Sequence, residues 1–161
     1  MYHCHIHFYF MGQPCRVFEM IKEMPALEHF SHEFLESKRP EGALTAKADV
    51  IVADLQDMDV KQGVRALITG KSKEAQLILL ADQSQIALLE DDLPKINDIW
   101  VYPMSDQEIR FRFLRWQQNF KMRKDFWQTS HYLEAAINNS PNLIWYKDKN
   151  GIHKKVNDSF C

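Results

Sequence analysis

At 161 residues the chain is long enough for one well-packed domain of ordinary size, with some length left over. Its 45% hydrophobic and 26% charged residues are those of an average globular protein, and five glycines with six prolines argue against disorder or a loop-rich fold. A formal net charge of −2 offers no general attraction to nucleic acid or to an anionic membrane.

Residues 6–11 read as a first strand, and Pro14 opens a helix with Val17, Phe18, Ile21 and Met24 on one face. A weaker second strand covers residues 27–35, with Phe30 and Phe34 on one side. The polar stretch 37–48 is expected to hold a short, poorly formed helix or only a loop. Residues 49–54 give the clearest strand, a continuous apolar run between two aspartates, as a strand buried on both faces requires. Val60–Gly70 then reads as a helix with Val64, Leu67 and Ile68 inward and Gly70 as its stop. Gln76–Ala81 is another buried strand, residues 84–89 another helix, and residues 99–102 a fifth strand closed by Pro103.

Strands alternating with helices in this way predict an α/β fold, a three-layer sandwich around a five-stranded parallel sheet. After Pro103 the character changes. Ser105 and Glu108 have the spacing of a capping box, which satisfies free amides at a helix start. Ile109, Phe113, Trp116 and Phe120 follow at four, three and four residues, a short coiled-coil-like seam, and Trp127 falls on a later seam position. A long C-terminal helix is expected until Pro141 ends it.

The order and spacing of these elements over residues 1–120 resemble a two-component receiver domain, a flavodoxin-like fold. The most specific pieces are Asp54, closing the third strand where that family carries its phospho-acceptor, and Tyr102-Pro103, which looks like the Lys-Pro pair before its last helix. The resemblance makes Asp54 the candidate phospho-acceptor position. It also marks four degenerate positions. Met11 and Gly12 stand where receivers have an acidic pair, Ala81 where they have Ser or Thr, and Tyr102 where they have lysine. A divalent cation needs several oxygen ligands to neutralise a phosphoryl group. The expectation is therefore a pseudo-receiver, with no catalytic residue and no cofactor.

Residues 140–161, with the helix end before them, resemble the opening of a PAS sensory domain. Asn142-Leu143-Ile144-Trp145-Tyr146-Lys147-Asp148 reads as its first strand, Asn150-Gly151 as a hairpin turn, and residues 152–156 as its second strand. The wording is most like PAS domains that precede GGDEF diguanylate cyclase domains, which make cyclic di-GMP. The domain division expected is a receiver-like domain at 1–120, a signalling helix at 105–139 that overlaps its last helix, and a PAS fragment at 140–161.

Other constellations are weaker. His3, His5 and His7 alternate on one strand face, and His29 and His32 fall on the next strand. His-x-His can chelate zinc or nickel, but no Cys, Asp or Glu completes the set at a convincing spacing, so no metal site is expected. Cys15 follows Pro14 at a helix start and reads as a buried structural cysteine. Cys4, Cys15 and Cys161 are odd in number and lack CxxC spacing, which fits a reducing, cytoplasmic setting. Arg110, Arg112, Arg115, Lys121, Arg123 and Lys124 read as a solvated helix face rather than a nucleic-acid stripe.

The expected role is the regulatory input region of a bacterial signalling protein, controlling a downstream diguanylate cyclase through a homodimer. Phe113, Trp116, Phe120 and Trp127 are its expected interface. The partners are the PAS and effector domains of the same chain, with no nucleic acid and no membrane. The alternatives are a phosphorylatable receiver using Asp54, or the sensor region of a histidine kinase.

Overall fold

The computed structural model describes residues 3–138, 145–147 and 153–156. The chain divides into two compact units, Met1–Arg115 and Trp116–Cys161.

In the first unit the elements alternate in chain order. They are β1 (Cys4–Met11), α1 (Arg16–Glu23), β2 (Phe30–Ser37), α2 (Gly42–Lys47), β3 (Val50–Asp54), α3 (Val60–Gly70), β4 (Gln76–Ala81), α4 (Gln83–Ile86) and β5 (Asp98–Val101). A 3-10 segment, Ala87–Lys95, links α4 to β5 and contains Pro94. The five strands pair in the order β2-β1-β3-β4-β5, every pair parallel. The α/β class and the five-stranded parallel sheet expected from the sequence are both present.

The three inner strands explain the apolar runs. Val50, Ile51, Val52 and Ala53 of β3 and Leu77, Leu79 and Leu80 of β4 are fully buried, because helices cover both faces of a parallel sheet. On one face, the Phe8 and Phe10 rings of β1 meet Phe34 of β2, with Phe18 of α1 stacked on Phe10 at 4.7 Å. On the other, Tyr9, Met11, Ile51 and Leu79 pack with Val60, Val64 and Leu67 of α3. Period-two alternation along β1 sends even residues to the first face and odd residues to the second.

Local chemistry sets the element ends. Asp59 caps α3 by accepting from the Gln62 amide at 3.1 Å. Asp82 and Gln85 form a complete capping box on α4, so that helix begins before residue 84 and hands over to 3-10 geometry after one turn. The stretch left open between helix and loop resolves into α2, where Thr45 Oγ1 donates back to the Glu41 carbonyl at 2.7 Å.

A long helix, α5 (Asp106–Asn138), runs from the first unit into the second. The Ser105 hydroxyl accepts from the Glu108 amide at 3.2 Å at its start, and Arg16 of α1 pairs with Asp106 at 3.0 Å. In the second unit, β6 (Trp145–Lys147) and β7 (His153–Val156) pair antiparallel. The Asn150-Gly151 turn expected between them lies outside the described residues. Among the described residues no helix is long and apolar enough to cross a membrane.

Candidate functional site at the carboxyl edge of the sheet

Parallel strands bring the ends of β1, β3, β4 and β5 to one edge, and the candidate residues gather there. Asp54 lies opposite Leu80 in the β3–β4 register, Ala81 lies opposite Val101, and the Tyr102 amide donates to the Ala81 carbonyl at 2.9 Å. The Tyr102–Pro103 peptide is cis. Met11 is fully buried in the core, and Gly12 follows it with a φ of 130°.

Asp54 is 4% exposed, and both its carboxylate oxygens are engaged from within the chain. Oδ1 accepts from the Gln56 amide at 3.1 Å, and Oδ2 accepts from the Tyr102 hydroxyl at 3.2 Å. The Cys15 thiol lies close enough to Asp54 and Tyr102 to influence the ionisation of both. Burial raises the Asp54 pKa above its ordinary value, against the lowering effect of these donors, and nearby Asp57 pushes it the same way. Burial likewise raises the Cys15 thiol and the Tyr102 phenol, and the neighbouring Cys15 and Asp54 charges add to the effect on Tyr102. Burial thus works against ionisation of all three groups.

Gly12 closes the site on its remaining side. A Cβ at position 12 would stand 3.0 Å from both Asp54 Cβ and the Asp54 carbonyl oxygen. The backbone there is also in a region that residues with side chains rarely adopt. A side chain at Gly12 would need the loop or Asp54 to shift.

Beside this cluster opens a cleft of about 720 Å³, at the crevice where the strand order reverses between β1 and β3. Lys38 and Arg39 line it from the loop after β2, and Asp57 and Asp59 from the loop after β3.

Sequence reasoning placed Cys15 as a buried structural residue without partners. It is half-buried, free of disulfide bonding, and stands beside the Asp54–Tyr102 pair. Its place two residues past the end of the β1 loop glycine-glutamine pair was the available signal, since a helix start there must face the ends of β1 and β3.

The expected dimer residues divide. Phe113 is 1% exposed, its ring 5.9 Å from Phe8 and 6.1 Å from His32, so it is core rather than interface. Trp116 and Phe120 are also buried within the single chain, their rings 5.0 Å apart. The correction has a simple cause. The seam spacing of Ile109 and Phe113 is equally that of a last helix covering its own sheet. Trp127 is 59% exposed, and Phe111, Met122, Phe126, Tyr132 and Leu133 are exposed as well.

His5 and His7 share one face of β1 at the opposite edge of the sheet, with His3 just before the strand, whereas His32 turns to the other face against Phe8. His29 sits in the turn before β2 with a positive φ of 70°.

No protein-family model matches the chain, and no curated protein matches it. Solved structures do. The receiver domain of AraT, a response regulator from Geobacillus stearothermophilus, is 16% identical with a TM-score of 0.53, covering 74% of this chain and 98% of its own. A structure described as adenylate cyclase from Rhodopirellula baltica is 10% identical with a TM-score of 0.50, covering 78% of this chain and 98% of its own. Identities this low speak for the fold. The first unit has a receiver-like, flavodoxin-type α/β fold.

Proposed function

We propose that this chain is the regulatory input region of a bacterial signalling protein, in which a receiver-like domain works through packing rather than phosphoryl transfer. The observation that carries the reading is the closed Asp54 carboxylate. Transfer to an aspartate needs an oxygen free to attack and a divalent cation held by several oxygens. Here the two oxygens of Asp54 accept from Gln56 and Tyr102, and Asp54 itself crowds the space that a side chain at Gly12 would need.

Output in this reading runs along α5 toward a PAS domain that starts near residue 140. A diguanylate cyclase is the proposed effector beyond it, on the strength of the PAS resemblance. Met122, Phe126 and Leu133 lie on one helix face and are exposed, as is Trp127, which supports a homodimer through the later turns of α5. Sedimentation at roughly 50 μM reveals association stronger than about −6 kcal/mol. A monomer there would count against the dimer, whereas a dimer lost in Phe126→Glu would support it.

Incubation with acetyl phosphate and Mg²⁺, followed by intact-mass measurement, tests the central claim. The chain is expected to remain unmodified. A gain of one phosphoryl group that disappears in Asp54→Asn would overturn it in favour of a working receiver. That second reading draws on the cleft beside Asp54, where Asp57 and Asp59 could supply oxygens and Lys38 and Arg39 could face a phosphodonor.

A further inference from the structure

The amino edge of the sheet carries a cluster that the Asp54 site does not use. His5 and His7 alternate along β1, and Glu33 of β2 stands opposite His7 in the strand register. The three supply ligand atoms all within 4.8 Å of one another. His5 Nε2 is 3.2 Å from Glu33 Oε2, and His7 Nε2 is 3.0 Å from the same oxygen. We propose that His5, His7 and Glu33 form a zinc site with two imidazole ligands, one carboxylate ligand and a fourth position open to water.

The distances fit that geometry. At Zn–N and Zn–O lengths of about 2.0–2.1 Å, tetrahedral ligand atoms stand roughly 3.3–3.4 Å apart. Both nitrogen–oxygen separations are close to this, so only the two imidazoles need adjust. Half-exposed side chains have that freedom, since His5 and Glu33 side chains are 47% and 46% exposed.

The outer contacts point the same way. A metal-binding histidine ordinarily uses one ring nitrogen for the ion and donates the other to a fixed oxygen. His7 Nδ1 is 3.2 Å from Asp49 Oδ2, and the same oxygen accepts the His7 backbone amide at 2.8 Å. His5 Nδ1 is 2.6 Å from Ser31 Oγ. Both rings therefore have Nδ1 held from outside and Nε2 turned toward Glu33. Glu33 and Asp49 together balance the charge of a divalent ion, and imidazole with carboxylate suits zinc better than a harder cation. Spacing along β1 alone could not show this. The missing carboxylate comes from the neighbouring strand, and the Asp49 that holds His7 from the approach to β3.

Bound zinc would tie β1 to β2, which is an edge strand of the sheet. The site stands apart from the Asp54 reading and does not depend on it.

Titration of the chelator-stripped full chain with Zn²⁺, followed calorimetrically, tests the proposal. Saturable binding of one equivalent is expected. His7→Ala and Glu33→Gln should each weaken it by at least about tenfold, and Asp49→Asn by roughly 10–100-fold, as loss of an outer-shell partner does. His131→Ala, on α5, should leave it unchanged. Co²⁺ in place of zinc should give visible bands without thiolate charge transfer, which separates this site from the cysteines. Hydrogen exchange of the β2 amides should slow when zinc is added. Because Glu33 is half-exposed, Glu33→Gln keeps the fold and decides the matter even if Asp49→Asn does not. Absence of saturable binding, or binding undiminished in both Glu33→Gln and His7→Ala, would overturn the proposal.

Discussion

The two edges of the sheet treat their charged groups in opposite ways. At the carboxyl edge, Asp54 is buried and its oxygens accept from Gln56 and Tyr102. At the amino edge, His5, His7 and Glu33 are exposed enough to meet an ion. The fold places its customary crevice at the first edge, so a reader of topology looks there for chemistry. Yet burial works against ionisation of Asp54 there, while the groups at the far edge stand partly exposed. Topology marks where a site can be, and the side chains decide whether it is open.

The largest expected effect tests how tightly the carboxyl edge is closed. Gly12→Ala puts a Cβ 3.0 Å from Asp54 Cβ and carbonyl oxygen, in a backbone conformation that alanine rarely adopts. Strain of that kind together with overlap should cost about 2–4 kcal/mol of stability, read from the denaturant midpoint. A change within about 0.5 kcal/mol would mean the loop can move aside, and the edge is then open to a ligand after all.

Asp54 itself gives a smaller effect of opposite sign. Its carboxyl has a raised pKa, with burial the leading cause. The folded state therefore holds the proton more tightly than the unfolded chain, and ionisation above the folded value costs stability. Asp54→Asn removes that cost, so at pH 7 the variant should be more stable by about 1 kcal/mol. The gain should shrink as pH falls through the raised value toward the ordinary 3.8, where the wild-type carboxyl is neutral too. A variant less stable than wild type at pH 7 would mean that the ionised form is needed, as a cation-binding receiver requires.

Legibility in the sequence followed the range of the interaction. Central strands were readable because burial on both faces leaves an unbroken apolar run, as in Val50–Asp54 and Gln76–Ala81. The helix Val60–Gly70 was readable from its periodicity. α2 was not, because its short length and polar composition leave Thr45 as its buried side chain. α4 began early because Asp82 and Gln85 close a box whose reciprocal bonds no hydropathy pattern reveals. At the candidate site, Asp54 and Tyr102 could be paired through the receiver resemblance. Cys15 and Glu33 could not, since each meets its partners across strands that are distant in sequence.

The smallest effect concerns the ring between the two edges. His32 of β2 lies with its edge toward Phe8 at 4.9 Å and Phe113 at 6.1 Å, on the aromatic face of the sheet. Burial there lowers its pKa, and the nearby positive charge of His5 adds to the lowering. A lowered value in a base means the unfolded chain takes up the proton first. Stability is therefore fully present above the ordinary value of 6.5 and is lost as pH falls from there toward the lowered folded value. His32 is only half-buried, so solvent screens part of the effect and the loss should be modest. In His32→Phe, the neighbouring rings keep an aromatic partner while the titration disappears. Its melting temperature should accordingly decline less than that of wild type between pH 6.5 and 5. An acid decline unchanged in His32→Phe would mean that the aromatic face plays no part in the chain's response to acid.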